Sequence, residues 1–305
     1  MQGTVEWLKK RQKGIGGSDV AAILGFNKFS TPYDIYLEKI ADEPILKEEH
    51  VKMKRGKQME NTIAEMFAEE TGAKILNTPD MVWSETNPLM FASLDRIIWM
   101  EDHGRGILEL KNTVSETIAN WEDGIPDYYM TQVQHQLFVT GYEYCMFCYL
   151  VDGWDLKYVM IKPDHDYIKK QNELLEAFWN NHVAKRIAPD PISVDDLEKM
   201  FPKITEKEIE VTEELVKTLE KINDLKEKID NLKEEKETLE LSLKLVMLDN
   251  SIAKYKDTIV CTYKQTKPGS AFNEKEFKEN NTDIYKKYVK ETKPQRRFLS
   301  KIKVK

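Results

Sequence analysis

The chain has 305 residues, of which 41% are hydrophobic, enough for one sizeable core plus an appendage or for two modest domains. No run of about 18 apolar residues occurs, and the first ten residues lack a long apolar stretch, so we expect no membrane span, no secretion signal and a cytoplasmic location. The net charge of −7 is not that of a general nucleic-acid binder, although a local basic surface can still hold phosphates.

The first third of the chain has the pattern of short helices. Glycine-rich residues 14–19 lead into a helix over residues 20–24 that Ser18 or Asp19 can cap. A Thr-Pro pair begins the next helix, and a longer helix carrying Glu60 is predicted over residues 53–71.

The middle of the chain alternates short β-rich runs with helices, which predicts an α/β fold built on a mixed sheet. Asp152 and Gly153 are a strong turn pair and predict a hairpin. The predicted strands are residues 81–83, 90–99, 106–110, 143–151 and 154–161, and the predicted helices are residues 126–140 and 165–186.

The three cysteines do not form a disulfide framework, because their number is odd and no secretion signal is expected. Cys145 and Cys148 have the C-x-x-C spacing of some metal sites, but Cys261 alone cannot complete a second pair. Residues three apart in a strand point to opposite faces, so we interpret this segment as a buried core strand.

A boundary is predicted near Pro189 and Pro191, followed by a charged segment with a long heptad helix over about residues 212–248. This helix either packs back on the domain or on a copy of itself, or forms a separate coiled-coil dimerisation element. Its two seam positions are filled by Leu215, Ile222, Ile229 and Leu243, and by Leu225, Leu232, Leu239 and Val246, with Lys236 as the interruption.

The last twenty residues form a basic tail, with nine lysines and arginines against one acid, Glu291. Such a tail is suited to phosphate binding. The basic residues are Lys286, Lys287, Lys290, Lys293, Arg296, Arg297, Lys301, Lys303 and Lys305.

The chemistry is predicted from Asp95 and, fourteen residues later, Glu109-Leu110-Lys111. Glu109 and Lys111 are two apart on one strand, so their side chains share a face, where an acid and a base are costly to bury without a partner or metal. Taken alone, an exposed Glu-x-Lys strand is more often a solvated face. The upstream acids Asp95 and Glu60 favour a site instead.

Asp95 and Glu109 are oxygen ligands suited to Mg²⁺ or Mn²⁺, with Glu60 and the Leu110 carbonyl as further candidates. Such a metal activates water and neutralises charge on a phosphate. Lys111 can orient the water and stabilise the added negative charge, so the set predicts phosphodiester cleavage.

These residues resemble the PD-(D/E)xK nuclease superfamily and, more narrowly, the YqaJ-type viral recombinases related to phage lambda exonuclease. Four blocks between about residues 7 and 161 carry the resemblance. They are Trp7 and Arg11 with residues 14–19; residues 55–60; Ser93-Leu94-Asp95 with Glu109-Leu110-Lys111; and Tyr129, Gln132 and Gln134.

The resemblance implies a restriction-endonuclease-like core over residues 1–190 and a C-terminal extension over residues 191–305 that includes the long helix and the basic tail. It also implies that Asp95 and Glu109 bind metal, that Glu60 contacts the metal or its water, and that Lys111 is catalytic. Arg11, Ser18, Ser93 and Gln132 match positions that hold the 5′-phosphate. Tyr129 lies one helical turn from Gln132 and could face the same site.

The residues alone also allow N-capping for Ser18, a polar helix face for Gln132 and Gln134, and a core position for Trp7. The expected function is a Mg²⁺-dependent exonuclease on linear double-stranded DNA, resecting 5′ ends to leave 3′ overhangs for phage-type recombination. An endonuclease of the same fold and a non-catalytic DNA-binding scaffold are the alternatives. By resemblance, the partners are a single-strand annealing protein and further copies of the chain in a trimer, in a bacterial host cell carrying the phage or prophage.

Overall fold

A computed structural model of the chain describes residues 3–46, 51–119, 121, 124–203, 205, 207–267, 269–290 and 296–301. The chain divides into two compact units, Met1–Ile204 and Thr205–Lys305. In the described residues, no helix has the length and apolar character needed to cross a bilayer.

Four helices precede most of the strands in the first unit: α1 (Val5–Arg11), α2 (Gly17–Ile23), α3 (Pro32–Ile40) and α4 (Val51–Thr71). Of the two predicted caps of α2, Ser18 is wrong, because the helix already begins at Gly17 and Ser18 lies inside its first turn. Asp19 instead accepts a hydrogen bond from the Gly16 N–H at 3.0 Å. Thr31 caps α3 and Gly72 follows α4 with φ of +71°, as their residue types predict.

A mixed five-stranded sheet forms the centre of this unit. Its strands are β2 (Lys74–Leu76), β5 (Arg96–Met100), β6 (Gly104–Thr113), β7 (Cys145–Val151) and β8 (Asp155–Ile161). They lie in the order β2-β5-β6-β7-β8, and all neighbours are antiparallel except the parallel pair β6 and β7. The parallel pair requires a crossover, which contains α5 (Ser115–Ile118) and α6 (Asp127–Thr140).

A second, three-stranded sheet has the order β1-β4-β3, with β1 (Ile15–Gly16), β3 (Val82–Trp83) and β4 (Met90–Ala92). The single strand predicted over residues 90–99 is therefore two strands in different sheets. The change of sheet takes place at Ser93, Leu94 and Asp95, so Asp95 lies in a link and not within a strand.

The five-stranded sheet has a separate apolar cluster on each face. One cluster joins Ile107 and Phe147 to α2, α3 and α6, and the other joins Leu108 and Leu110 to α4. Cys145 and Cys148 are both fully buried and fall in different clusters, which confirms the prediction of a core strand with opposite-facing cysteines.

The β7–β8 hairpin and the flanking helices agree with the sequence. Asp152 and Gly153 have φ of 52° and 83°, the left-handed pair that a tight hairpin turn requires. Gly141 ends α6 in the left-handed conformation with φ of 66°. After β8, α7 (His165–Phe178) continues into a π-helical turn, and α8 (Val194–Met200) follows.

Gly106 in β6 lies against the ring of Tyr144, where an added Cβ would stand 2.3 Å from a ring carbon. Both residues are buried, so Gly106→Ala forces the ring or the strand to move. We expect the free energy of unfolding to fall by about 1–3 kcal/mol, the usual effect of overpacking.

Urea unfolding followed by circular dichroism measures this loss. Gly56→Ala is the matched control, because Gly56 lies in the interior of α4 with no atom within 4 Å of an added Cβ. That change should stabilise the helix by about 0.5–1 kcal/mol. Equal effects from the two variants would contradict the assignment of Gly106 as a packing glycine.

The second unit contains the predicted heptad helix, α9 (Glu213–Met247), which Thr212 caps. A hairpin of β9 (Ile252–Tyr255) and β10 (Thr258–Thr262) follows, then α10 (Glu274–Asn280) and α11 (Thr282–Tyr288). Within this unit Met247 is buried and its sulfur lies 3.5 Å from the sulfur of Cys261. Of the predicted basic tail, Lys293, Lys303 and Lys305 lie outside the described residues.

Candidate active site

Pairing between β5 and β6 brings Asp95 and Glu109 together. Arg96 is the register partner of Leu108, so Asp95 lies one residue beyond that pair and next to Glu109 on β6. The Leu110 N–H donates to the Asp95 carboxylate at 2.8 Å. Two acids fourteen residues apart in sequence therefore meet at the point where the chain changes sheet.

Glu109 is a buried carboxylate held by three hydrogen-bond donors. Its side chain is 1% exposed, and it accepts hydrogen bonds from Gln132 and Gln136 of α6, both at 2.7 Å. The third donor is the ammonium of Lys111 on the same face of β6. These contacts hold both oxygens of Glu109 in fixed positions.

Lys111 is kept as an ammonium by its surroundings. Burial by itself lowers the pKa of Lys111, but the carboxylates of Glu109 and Asp95 outweigh burial, and the net pKa is raised. The ammonium also lies 5.1 Å from the centre of the Tyr129 ring. Lys111 is therefore a fixed positive charge and a hydrogen-bond donor near neutral pH, and not a base.

At Asp95, in contrast to Lys111, burial shifts the pKa in the same direction as the net change. Burial, followed by the charge of Glu109, raises the pKa of Asp95 to about 8, although Lys111 and the Leu110 N–H oppose the rise. Two neighbouring carboxylates in a buried place repel each other when both are ionised. A cation bound between them would relieve that repulsion.

Glu60 approaches the same place from α4 and is about half buried. Burial raises its pKa, Glu109 adds to the rise, and Arg96 and Lys111 oppose it. In the part of the chain that the structure describes, no three side chains of His, Cys, Asp or Glu lie close enough together to hold a metal ion. The acids thus face one site without forming a closed three-acid cage.

The donor set nevertheless fits a hard divalent cation. Mg²⁺ is usually bound through one or two carboxylates, with substrate phosphates and waters completing its shell. Asp95 and Glu109 supply such a pair, and all their donor atoms are oxygens. In a strand, the N–H and C=O of one residue point to the same edge, so the Leu110 carbonyl lies on the Asp95 side of β6.

A second polar cluster is formed by Arg11, Ser18, Asp19 and Lys39. The Arg11 guanidinium donates to Ser18 at 3.0 Å and to Asp19 at 2.6 Å, and Lys39 donates to the other oxygen of Asp19 at 2.7 Å. One buried acid is thus shared by two cations. The excess of positive charge favours an anion near Arg11 and Ser18.

Gln132 connects the two clusters. Its amide donates to Glu109, while its side-chain stem packs against Gly17, where an added Cβ would meet the Gln132 Cγ at 3.3 Å. Because Gly17 directly precedes Ser18, the cluster around Arg11 and the acids of the sheet lie on the two sides of Gln132.

Ser93 and Tyr129 complete the predicted set. The Ser93 hydroxyl is buried and has no hydrogen-bond partner among the described residues. The Tyr129 ring packs against Trp121 and Phe147, whose ring centres lie 5.9 and 5.4 Å from its own. Its face contacts the ammonium of Lys111. Tyr129 therefore borders the acids of the sheet, and Ser93 lies in the same link between strands as Asp95.

Sequence reasoning missed two residues of these clusters. Gln136 holds Glu109, and its i, i+4 spacing from Gln132 was the available signal. Lys39 carried no signal, because only the fold brings it to Asp19. Gln134 faces away from the site, donating to the Lys162 carbonyl at 3.0 Å and accepting from the Asp164 N–H at 2.9 Å.

Comparison with known proteins shows what this chain is similar to. Residues 6–143 match the sequence profile of the YqaJ-like viral recombinase domain. The uncharacterised protein YqaJ of Bacillus subtilis (strain 168) is 34% identical over 187 residues, which are 60% of this chain and 58% of that protein. The match thus spans less than two thirds of that relative.

The fold is also similar to that of solved structures. An alkaline exonuclease from Laribacter hongkongensis, LHK-Exo, matches over 66% of this chain and 100% of its own, with 21% identity and a TM-score of 0.51. LHK-Exo in complex with dAMP matches over the same shares, with 20% identity and a TM-score of 0.50. These likenesses confirm the predicted α/β nuclease-type fold.

Every residue of the two polar clusters lies within residues 6–143, the segment that matches this profile. Arg11 is near its first residue, and Gln136 is near its last. The second unit, with α9 and the hairpin after it, lies outside the matched segment. The resemblance inferred from the sequence blocks is confirmed for the segment that carries the site.

Proposed function

We propose that this chain is a divalent-metal-dependent DNA exonuclease that degrades the 5′-terminated strand of linear duplexes and leaves 3′ overhangs. The observation that carries the proposal is the buried group of Asp95, Glu109 and Lys111, in which a fixed ammonium stands beside two carboxylates. Structural ion pairs are normally closed, whereas the second acid, Asp95, has no cation of its own among the described residues and has a raised pKa.

Asp95 and Glu109 would hold the cation, with the Leu110 carbonyl and Glu60 as further oxygen donors. When bound, Mg²⁺ or Mn²⁺ supplies charge neutralisation at the scissile phosphate and makes a nearby water easier to deprotonate. Lys111 places its positive charge where negative charge grows on the phosphate oxygens. Gln132 and Gln136 keep Glu109 oriented throughout.

Polarity would come from the cluster around Arg11. A terminal phosphate carries more negative charge than an internal phosphodiester, so a site with Arg11, Lys39 and one shared acid favours chain ends. Ser18 adds a hydroxyl that already contacts Arg11. The buried, unpartnered hydroxyl of Ser93 is a further donor for such a phosphate.

The relatives support the same assignment without establishing it. The matching profile describes viral recombinases, and the matching structures are described as an alkaline exonuclease, one of them in complex with dAMP. An end-resecting enzyme fits recombination, because 3′ overhangs are the substrates of strand annealing. We therefore propose double-stranded DNA ends as substrate and a single-strand annealing protein as partner.

Degradation of end-labelled DNA tests this function. On a linear duplex in the presence of Mg²⁺, we expect mononucleotide release from the strand labelled at its 5′ end, retention of a 3′ label until late, and no cleavage of closed circular duplex. Chelation should abolish release. A 5′-hydroxyl end should be degraded more slowly, by about 10- to 150-fold if one charge-assisted contact of about 1.5–3 kcal/mol is lost.

Each arm of this assay has a contrary outcome. Nicking of closed circles would establish the endonuclease alternative. Equal rates on phosphorylated and hydroxyl ends would remove Arg11 and Ser18 from end recognition. DNA binding with no cleavage under any divalent cation would favour the non-catalytic scaffold.

A further inference from the structure

Helix α9 carries a continuous apolar stripe that the structure leaves exposed. Leu225, Leu232 and Leu239 are 57, 63 and 60% exposed, and they repeat every seven residues along one side. In the described part of the second unit, the other helices are only seven residues long. They are too short to cover a helix of 35 residues.

Such a stripe needs a helical partner of similar length. In parallel coiled coils, isoleucine at the first seam position with leucine at the second favours two strands, and Ile222 with Leu225 and Ile229 with Leu232 have this pattern. The pattern concerns the number of helices, and their direction is set by the charges beside the seam. An isolated helix with exposed leucines gains little stability on its own, because most helical stability comes from packing of an apolar face. The stripe therefore indicates a pair of helices.

The charges beside the seam decide how the pair is oriented. Residues flanking the two seam positions meet across the interface and set partner choice and orientation. At these flanking positions of α9, the lysines come first and the glutamates last. The charged residues at the central flanking positions are Lys221, Lys226, Lys228, Lys233, Glu235 and Glu240.

Parallel pairing of two copies in register would place like charges together at each of these positions. In a parallel pair, the residue just before a first seam position lies opposite a residue of the other helix. That residue has a sequence number higher by five. The facing pairs would be Lys221 with Lys226, Lys228 with Lys233, and Glu235 with Glu240. Lys236, at a seam position, would also face its own copy.

Antiparallel pairing relieves most of these conflicts. With the two helices fully overlapped, Lys228 of each copy faces Glu235 of the other, so an attractive pair forms twice. Lys226 and Lys233 still face each other as like charges, also twice, against six like-charge contacts in the parallel pair. First seam positions then face second seam positions, so Lys236 meets a leucine, Leu225, and not another lysine.

We propose that α9 pairs with α9 of a second copy of this chain as an antiparallel two-stranded coiled coil. The partner helix is α9 of a second copy, because in an antiparallel pair the apolar seam of one α9 packs against the same seam of the other. This arrangement also brings Lys228 of each copy to Glu235 of the other. This inference does not rest on the proposed nuclease function. It concerns a segment outside residues 6–143.

The solution mass of the full chain tests the pairing. We expect Leu232→Glu to halve the mass found by light scattering at micromolar concentration. The matched control is Leu241→Glu, which lies on the same helix, is similarly exposed at 56%, and falls outside the seam. A mass that Leu232→Glu leaves unchanged, or that both variants reduce equally, would overturn the proposal. The test compares the mass of the variant with the mass of the wild-type chain. It therefore stays valid if the first unit also self-associates.

A charge reversal tests the direction. Glu235→Lys turns attraction into repulsion twice in an antiparallel pair, and we expect about ten-fold weaker dimerisation by sedimentation. In a parallel pair the same change would set the new lysine beside Glu240 and tighten the dimer, which would overturn the antiparallel arrangement. Glu227→Lys, on the outer face, should leave the dimer unchanged.

Discussion

Lys111→Ala is expected to reduce DNA cleavage by at least about 10²–10³-fold, the usual cost of removing one preorganised donor from a developing negative charge. The ammonium lies between Glu109 and the ring of Tyr129, and its raised pKa keeps it protonated at working pH. Alanine removes both the charge and the donor, and no other cation contacts Glu109 among the described residues.

The fold should survive this change, because Glu109 keeps its hydrogen bonds from Gln132 and Gln136. Thermal unfolding and DNA binding of the variant are measured beside its cleavage rate. Lys157→Ala is the matched control: this lysine lies on β8 of the same sheet, is half exposed and pairs with Asp155 at 3.1 Å. Full activity of Lys111→Ala would refute the catalytic assignment.

Asp19→Asn is expected to destabilise the first unit by about 3–5 kcal/mol, because it leaves a buried cation without its counter-charge. The side chains of Asp19 and Lys39 are 3% and 2% exposed and lie 2.7 Å apart. Asp155→Asn, at an exposed pair with Lys157, should cost at most about 1 kcal/mol. Urea unfolding at pH 7 compares the two variants.

The pH dependence of this loss has a definite sign. Burial by itself raises the pKa of Asp19, but Arg11 and Lys39 outweigh burial and hold the pKa well below its ordinary value of 3.8. A carboxylate with a lowered pKa stabilises the fold above the ordinary value and loses that contribution as pH falls further. The gap between wild type and Asp19→Asn should therefore be complete at pH 7 and shrink below about pH 4.

A double variant separates the charge from its packing. Replacing both partners of a buried pair by uncharged groups is often nearly neutral, so Asp19→Asn with Lys39→Met should recover much of the stability lost in Asp19→Asn alone. If the double variant is less stable than the single one by the full cost of Lys39→Met, the two side chains are not coupled. That result would contradict the shared-acid description of this cluster.

Much of the fold could be predicted because it depends on neighbours in sequence. Thr31 with Pro32, Gly141 after α6, and Asp152 with Gly153 act through local backbone preferences, and each ends or begins the element that its residue type predicts. The heptad helix follows from periodicity alone.

Within the site, the sequence by itself determined that Glu109 and Lys111 share a face, because alternate residues of a strand always do. It also placed Gln132 and Gln136 one turn apart on α6. These relations hold in any fold that keeps the strand and the helix.

Only the tertiary structure decided which distant groups meet. Asp95 joins Glu109 because β5 pairs with β6 in one register, and Lys39 joins Asp19 because α3 packs beside α2. The physical reason is that a buried charge requires a counter-charge within a few ångströms. From the sequence alone, many lysines could form an ion pair with Asp19. Strand register and helix packing determine which lysine does so.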